Sequence, residues 1–265
     1  MKEILIPSKR GTDIPVSVYE GNGKGPLLLM AHSFRSQKEE DGRYSYIGET
    51  LSAHGFLCIA PDFAGNGSSK EAFVNYSLSS CIDDLESCYA YAKKNYKFDE
   101  DRRYLLGYSM GGRIISLFLE RHPEFSKLAF WASLLERMDE DDRFLEQDLS
   151  KLKQQCDEKG YCDFYDIFEK ETIQMSKQLI DDLLYEDALS PLNDFKGEAL
   201  ILHGEKDITI DPQNGKIIAS ALCNVKEKKL VLMEDADHGF GLWDGRRQDN
   251  ERLLEETIRF LSKSL

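Results

Sequence analysis

The stretch Leu105-Leu106-Gly107-Tyr108-Ser109-Met110-Gly111-Gly112-Arg113 runs from an apolar strand into a helical pattern, and its core reads Gly-x-Ser-x-Gly. A strand that hands over to a helix within a turn this short fits a sheet covered by helices. Glycine at 107 and 111 tolerates the close approach and unusual dihedrals of such a turn, where a side chain would collide with its neighbours. In this context the motif spells a nucleophile elbow, a sharp, strained turn that pushes the serine hydroxyl out of the sheet. Taken alone the pattern reads equally well as a serine capping a helix after a strand. Partners elsewhere in the chain must break that tie.

The rest of the chain repeats the strand–helix rhythm. Glu3 to Pro7 and Ile14 to Tyr19 are short strand patterns around the turn Arg10-Gly11-Thr12-Asp13. Ile14, Val16 and Val18 alternate with polar or small residues, which predicts a half-exposed hairpin strand. Leu27 to Ala31, Phe56 to Ala60, Arg103 to Gly107, Leu128 to Ala132, Ala199 to His203 and Lys229 to Met233 are strand candidates, several of them unbroken apolar runs. Such runs mark strands buried on both faces of a parallel sheet. Helical patterns lie at Tyr44 to His54, Tyr76 to Tyr96, Gly111 to His122, Asp211 to Leu222 and Arg246 to Leu261. The reading is an α/β fold with a doubly wound, mostly parallel sheet. Gly65-Asn66-Gly67 lies in a glycine-rich loop without the lysine and helix placement of a phosphate loop.

Between Leu134 and Ser190 the rhythm breaks. This segment holds 17 acidic against 7 basic residues and reads as an inserted, largely helical cap or lid over 134–190, on a core made of 1–133 and 191–265. The run Asp139-Glu140-Asp141-Asp142 reads as a solvated helix face, because the spacing of a calcium loop is absent. Tyr161, Phe164, Tyr165, Ile167 and Phe168 form an aromatic and aliphatic cluster, suited to local core or to a pocket wall.

Composition narrows the function classes. A formal charge of −14 over 265 residues argues against a nucleic-acid surface and against a polybasic membrane patch. No apolar leader or membrane-length run is present, so a cytoplasmic location is expected. The six cysteines, at 58, 81, 88, 156, 162 and 223, form no C-x-x-C pair and read as reduced thiols, most of them buried. No metal and no organic cofactor is expected. The expected partner is a small-molecule ester, and the reading leaves room for a homodimer.

A serine nucleophile needs a base within hydrogen-bond reach, and the base needs an orienting acid. On a fold of this kind they follow the serine as acid, then histidine, each on a loop after a later strand. Asp207 follows the strand Leu200-Ile201-Leu202-His203, and His238 follows Met233. His203 sits at a strand edge and reads as a hydrogen-bonded structural residue. Asp207 is the preferred acid, with Glu205 and Asp211 as fallbacks, while Asp235 and Asp237 lie too close in sequence to His238. The developing oxyanion would be met by the backbone N–H of Met110 and by one from the loop His32-Ser33-Phe34, best that of Phe34.

With these pieces the chain resembles the α/β-hydrolase family over essentially its whole length. The stretches His32-Ser33-Phe34-Arg35-Ser36-Gln37-Lys38-Glu39-Glu40 with Tyr44, and Asp62-Phe63-Ala64-Gly65-Asn66-Gly67-Ser68-Ser69, look like its cinnamoyl and feruloyl esterase branch. The resemblance implies Ser109, Asp207 and His238 as a triad, Phe34 and Met110 as oxyanion donors, an inserted cap, and cleavage of hydroxycinnamoyl esters. Two positions depart from that pattern: Ser33 stands where the family has glycine, and Arg35 where it has a small residue. The expected function is a serine esterase working through an acyl-enzyme. A peptidase or amide hydrolase on the same fold, or a non-catalytic binding protein with a relict elbow, are the alternatives.

Overall fold

A computed structural model describes residues 1–167 and 169–263. In chain order the core elements are β1 (Lys2–Pro7), β2 (Asp13–Glu20), β3 (Pro26–Ala31), α1 (Arg43–Ala53), β4 (Leu57–Pro61), α2 (Leu78–Asn95), β5 (Asp99–Tyr108), α3 (Met110–Arg121) and β6 (Lys127–Trp131). The segment that follows contains β7 (Arg143–Phe144), β8 (Gln147–Asp148), α4 (Leu149–Lys159), β9 (Tyr161–Asp166), β10 (Glu171–Ser176), α5 (Lys177–Tyr185) and α6 (Ser190–Asn193). The core then resumes with β11 (Glu198–Gly204), α7 (Gln213–Ala221), β12 (Glu227–Met233) and α8 (Arg247–Ser262).

Eight strands form one sheet in the order β1-β2-β4-β3-β5-β6-β11-β12, antiparallel at β1/β2 and β2/β4 and parallel elsewhere. Side chains alternate across it, as strand geometry requires. Leu27, Leu29, Leu105 and Phe130 pack with Cys81, Leu85, Ile114 and Phe118 of α2 and α3 on one face. Leu28, Met30, Leu106 and Trp131 pack with Ile47, Leu51 and Leu253 of α1 and α8 on the other. The Trp131 indole N–H donates to Thr257 Oγ1 at 2.9 Å, tying β6 to α8. Helix α2 starts at a reciprocal cap in which Ser77 and Ser80 each accept the other's backbone N–H, which satisfies two donors the helix start would leave open.

Two local expectations are corrected. Strand β2 is not half-exposed: Pro15, Ser17 and Tyr19 are as buried as Ile14, Val16 and Val18. The reason is α1, which lies so close that a Cβ on Gly48 would stand 2.4 Å from the Tyr19 ring. The outer strand β1 carries the exposed edge instead. The acidic run 139–142 is an exposed turn and not a helix face. Asp142 accepts the Asp139 backbone N–H at 2.7 Å, the local bonding by which aspartate competes with helix. Helices α4 and α5 are separated by the hairpin β9–β10, built on the aromatic stretch from Tyr161. Phe164 is buried there and Tyr165 is exposed, while Phe168 lies outside the described residues.

Cys58, Cys81, Cys88, Cys156 and Cys162 are buried free thiols and Cys223 is an exposed one. Among the described residues no helix is long and apolar enough to cross a membrane.

The segment between β6 and β11 is held to the rest of the chain from two sides. Arg113 of α3 is buried and donates to the carbonyls of Glu136, Asp182, Leu183 and Glu186. Arg35, on the loop after β3, donates from Nε to Asp166 at 2.9 Å and from Nη2 to Glu171, both on the hairpin. Asp166 is almost fully buried. Removing Arg35 takes a charge-assisted hydrogen bond, worth about 2 kcal/mol, from buried Asp166, whose Oδ1 keeps the Glu169 N–H at 3.2 Å. Arg35→Ala is therefore expected to lower stability by about that much and to speed amide hydrogen exchange over 161–176 more than in the core strands. Uniform exchange across both regions would contradict the clasp.

Candidate active site

Strand β5 ends at Tyr108 and α3 begins at Met110, so Ser109 alone makes the corner. It does so at φ 54° and ψ −116°, a conformation that costs a non-glycine residue energy and survives only where its surroundings enforce it. The enforcement is visible. Ser109 N–H donates to the Trp131 carbonyl at 2.8 Å. A Cβ on Gly107 would lie 2.4 Å from the Gly111 carbonyl oxygen, and one on Gly111 would lie 2.0 Å from that of Ala31. The two motif glycines thus let α3 sit against β5 and β3.

The loops after β11 and β12 meet beside this corner. A Cβ on Gly204 would touch the Ala236 carbonyl at 2.2 Å, and Lys206 N–H donates to the same oxygen. That contact places Asp207 against His238. His238 Nδ1 lies 2.7 Å from Asp207 Oδ2, and its Nε2 lies 3.2 Å from Ser109 Oγ. The Tyr108 hydroxyl donates to the His238 carbonyl at 2.8 Å, so the residue next to the serine also holds the histidine backbone. Of the competing acids, Asp235 pairs with Lys206 and Asp237 accepts the Gly241 N–H. Glu205 is exposed, and Asp211 accepts the Gln213 N–H.

Asp207 is buried, which pushes its pKa up, but hydrogen bonds from His203, His238 and the Ile210 N–H outweigh that and hold it at about 2. His203 Nε2 stands 3.1 Å from the Ile210 carbonyl and 3.2 Å from Asp207 Oδ2, while its Nδ1 has no partner among the described residues. Two acceptors on one nitrogen and none on the other place the proton on Nε2. His203 is thus the hydrogen-bonded strand-end residue expected from the sequence, and it also steadies the Asp207 carboxylate.

The loop after β3 is held from both ends. His32 is fully buried, and burial lowers its pKa. Its Nε2 accepts the Phe63 N–H, so Nδ1 carries the proton and donates to the Ser33 carbonyl at 2.7 Å. A trans peptide points its C=O and N–H in opposite directions, so anchoring the Ser33 carbonyl turns the Phe34 N–H away from His32. Glu40, buried on α1's approach, accepts the Ser33 N–H at 2.7 Å, the Ser33 hydroxyl at 3.1 Å and the Ser36 hydroxyl at 2.9 Å. Among the described residues neither the Phe34 nor the Met110 N–H has an acceptor in the protein. Both residues border cavities that reach Ser109.

Glu40 and its ion-pair partner Arg43 were missed in the sequence, as was the anchoring role of His32. Arg43 donates to the Gly239 carbonyl and lies over the Tyr108 ring at 4.6 Å. It thereby joins the β3 loop, the elbow and the histidine loop. The Ser33 hydroxyl, which the family replaces with hydrogen, is consumed by Glu40. The Arg35 charge at the mouth is consumed by Asp166 and Glu171.

The sheet order, the elbow and the ordered acid and histidine define a hydrolase of the α/β type. The family model described as serine aminopeptidase, S33, matches residues 27–161, just over half of the chain, and the chain belongs to this family. A stretch of 104 residues is 30% identical to the monoacylglycerol lipase of Mycolicibacterium smegmatis, covering 38% of this chain and 35% of that lipase. The match therefore spans about a third of the lipase's length. A hydrolase structure from Agrobacterium vitis S4 aligns with TM-score 0.76 and 18% identity over 98% of this chain and 97% of that one. Est1E from Butyrivibrio proteoclasticus with ferulic acid bound aligns with TM-score 0.70 and 17% identity over 95% of this chain and 98% of that one.

Proposed function

We propose that the protein is a serine esterase that works through an acyl-enzyme. The observation that carries this is the chain of contacts Asp207–His238–Ser109, at 2.7 and 3.2 Å, set on a strained elbow. Ser109 attacks the ester carbonyl as His238 takes its proton, with Asp207 holding the imidazole in the donating tautomer at Nδ1. The N–H groups of Phe34 and Met110 receive the oxyanion. His238 then gives its proton to the leaving alcohol and activates water for deacylation.

Glu40 is expected to matter through the oxyanion loop. Glu40→Ala frees Ser33 and Ser36, and the Phe34 N–H loses its aim. Loss of one oxyanion donor lowers kcat about a hundredfold, with KM little changed. Glu40→Gln keeps an acceptor oxygen and should recover part of that loss. Steady-state kinetics on both variants, with melting curves to show that they fold, check this.

The family's description favours a second reading, hydrolysis of an aminoacyl amide. Turnover of para-nitrophenyl acetate against an aminoacyl anilide separates the two. Faster ester cleavage, abolished in Ser109→Ala, supports the esterase; faster anilide cleavage overturns it. For the hydroxycinnamoyl acyl group implied by the resemblance, the likeness to Est1E supports the fold alone, and the space beside Ser109 decides which acyl group is taken.

A further inference from the structure

Two cavities of different character meet at Ser109, and His238 borders only one of them. The larger, about 450 Å³, also contains Gln37, Asp41, Glu169, Thr209 and Trp243. The smaller, about 80 Å³, is walled by Leu134, Met138, Phe144, Leu145, Leu183 and Ile210, with Met110 at the elbow. Its two arginines are occupied: Arg113 by the cap carbonyls, Arg143 by the Glu146 carbonyl and Asp148.

Chemistry orients the substrate between them. The leaving oxygen must lie within hydrogen-bond reach of the group that protonates it, so the alcohol belongs on the His238 side. The acyl chain then points the other way, past Met110 into the smaller cavity. Resting on the reading of Ser109 and His238 as nucleophile and proton carrier, the structure assigns to this site esters of a short aliphatic acid with a polar, hydroxyl-rich alcohol.

The size of each cavity sets the limits. A volume of about 80 Å³ is roughly half that of an apolar cavity of about 150 Å³ that takes up benzene. It holds the chain of an acetyl, propionyl or butyryl group and leaves no space for an aromatic hydroxycinnamoyl ring or an octanoyl tail. On the alcohol side, Gln37, Asp41 and Glu169 are exposed at the rim and make no side-chain hydrogen bond among the described residues, with Asp41 in the field of the Arg43 guanidinium. These groups accept hydrogen bonds from alcohol hydroxyls, and the Trp243 ring offers an apolar face for a C–H surface. The carboxylates of Asp41 and Glu169 at this rim disfavour an anionic alcohol portion.

The test is a panel of glycerol monoesters with acetyl, butyryl, hexanoyl, octanoyl and feruloyl groups, with octyl butyrate and glycerol butyrate compared at constant acyl group. Labelling of Ser109 by a fluorophosphonate is run in parallel. Expected is a kcat/KM that falls about tenfold or more between butyryl and octanoyl esters, poor feruloyl turnover, and preference for glycerol over octyl butyrate. Met138→Ala, which widens the small cavity, should move the acyl optimum to longer chains. A labelled enzyme that prefers octanoyl or feruloyl esters overturns the partition and leaves the serine mechanism standing. An enzyme that neither labels nor turns over any ester overturns the mechanism, and the partition with it.

Discussion

Ser109→Ala is expected to lower kcat for a short-chain ester roughly a million-fold, to the level left by the oxyanion donors and binding alone. The size follows from the absence of a substitute nucleophile at the corner. The Ser33 hydroxyl, also at the site, donates to Glu40 at 3.1 Å and is held away from His238. The Ser36 hydroxyl is bound to the same carboxylate. Alanine tolerates the corner no worse than serine, since both carry a Cβ at the same positive φ. The variant should therefore melt with the wild type. Retained turnover in a folded variant would exclude Ser109 as the nucleophile.

The second large effect is expected at Asp207. Asp207→Asn should lower kcat about ten-thousand-fold, because an amide facing Nδ1 favours the wrong imidazole tautomer. The same residue has a stability consequence of definite sign. Its carboxyl is held at about 2 in the folded protein against an ordinary value of 3.8. A depressed folded value means that the unfolded chain binds the proton more readily. The contribution, about 2 kcal/mol, is fully present above the unfolded pKa and is lost as pH falls from about 4 towards 2. Denaturant titrations over that range should show the wild type losing this increment and Asp207→Asn lacking it. Parallel curves for the two proteins would show that Asp207 is not held ionised by its neighbours.

The parts of this structure that could be read from sequence are those with a local cause. Leu27 to Ala31 is an unbroken apolar run because β3 is buried on both faces. Gly107 and Gly111 announce the elbow because nothing larger fits against Gly111 and Ala31. Asp207 and His238 stand out because each follows a strand on the carboxyl end of the sheet. What escaped detection depends on neighbours distant in the chain. Strand β2 alternates like a half-exposed strand, and only the approach of α1 buries its second face. Glu40 and Arg43 look like surface charges in sequence until the fold closes Gly239 and Tyr108 over them. Asp166 lies 131 residues from Arg35, and no spacing rule connects an arginine on the loop after β3 to the hairpin β9–β10.

The most direct measurement is mass spectrometry of the intact chain after exposure to a fluorophosphonate, followed by peptide mapping. One adduct per chain is expected, carried by Ser109, absent from Ser109→Ala and formed far more slowly by Asp207→Asn. A chain that stays unmodified, or an adduct on another residue, would contradict the assignment of Ser109 as the activated nucleophile.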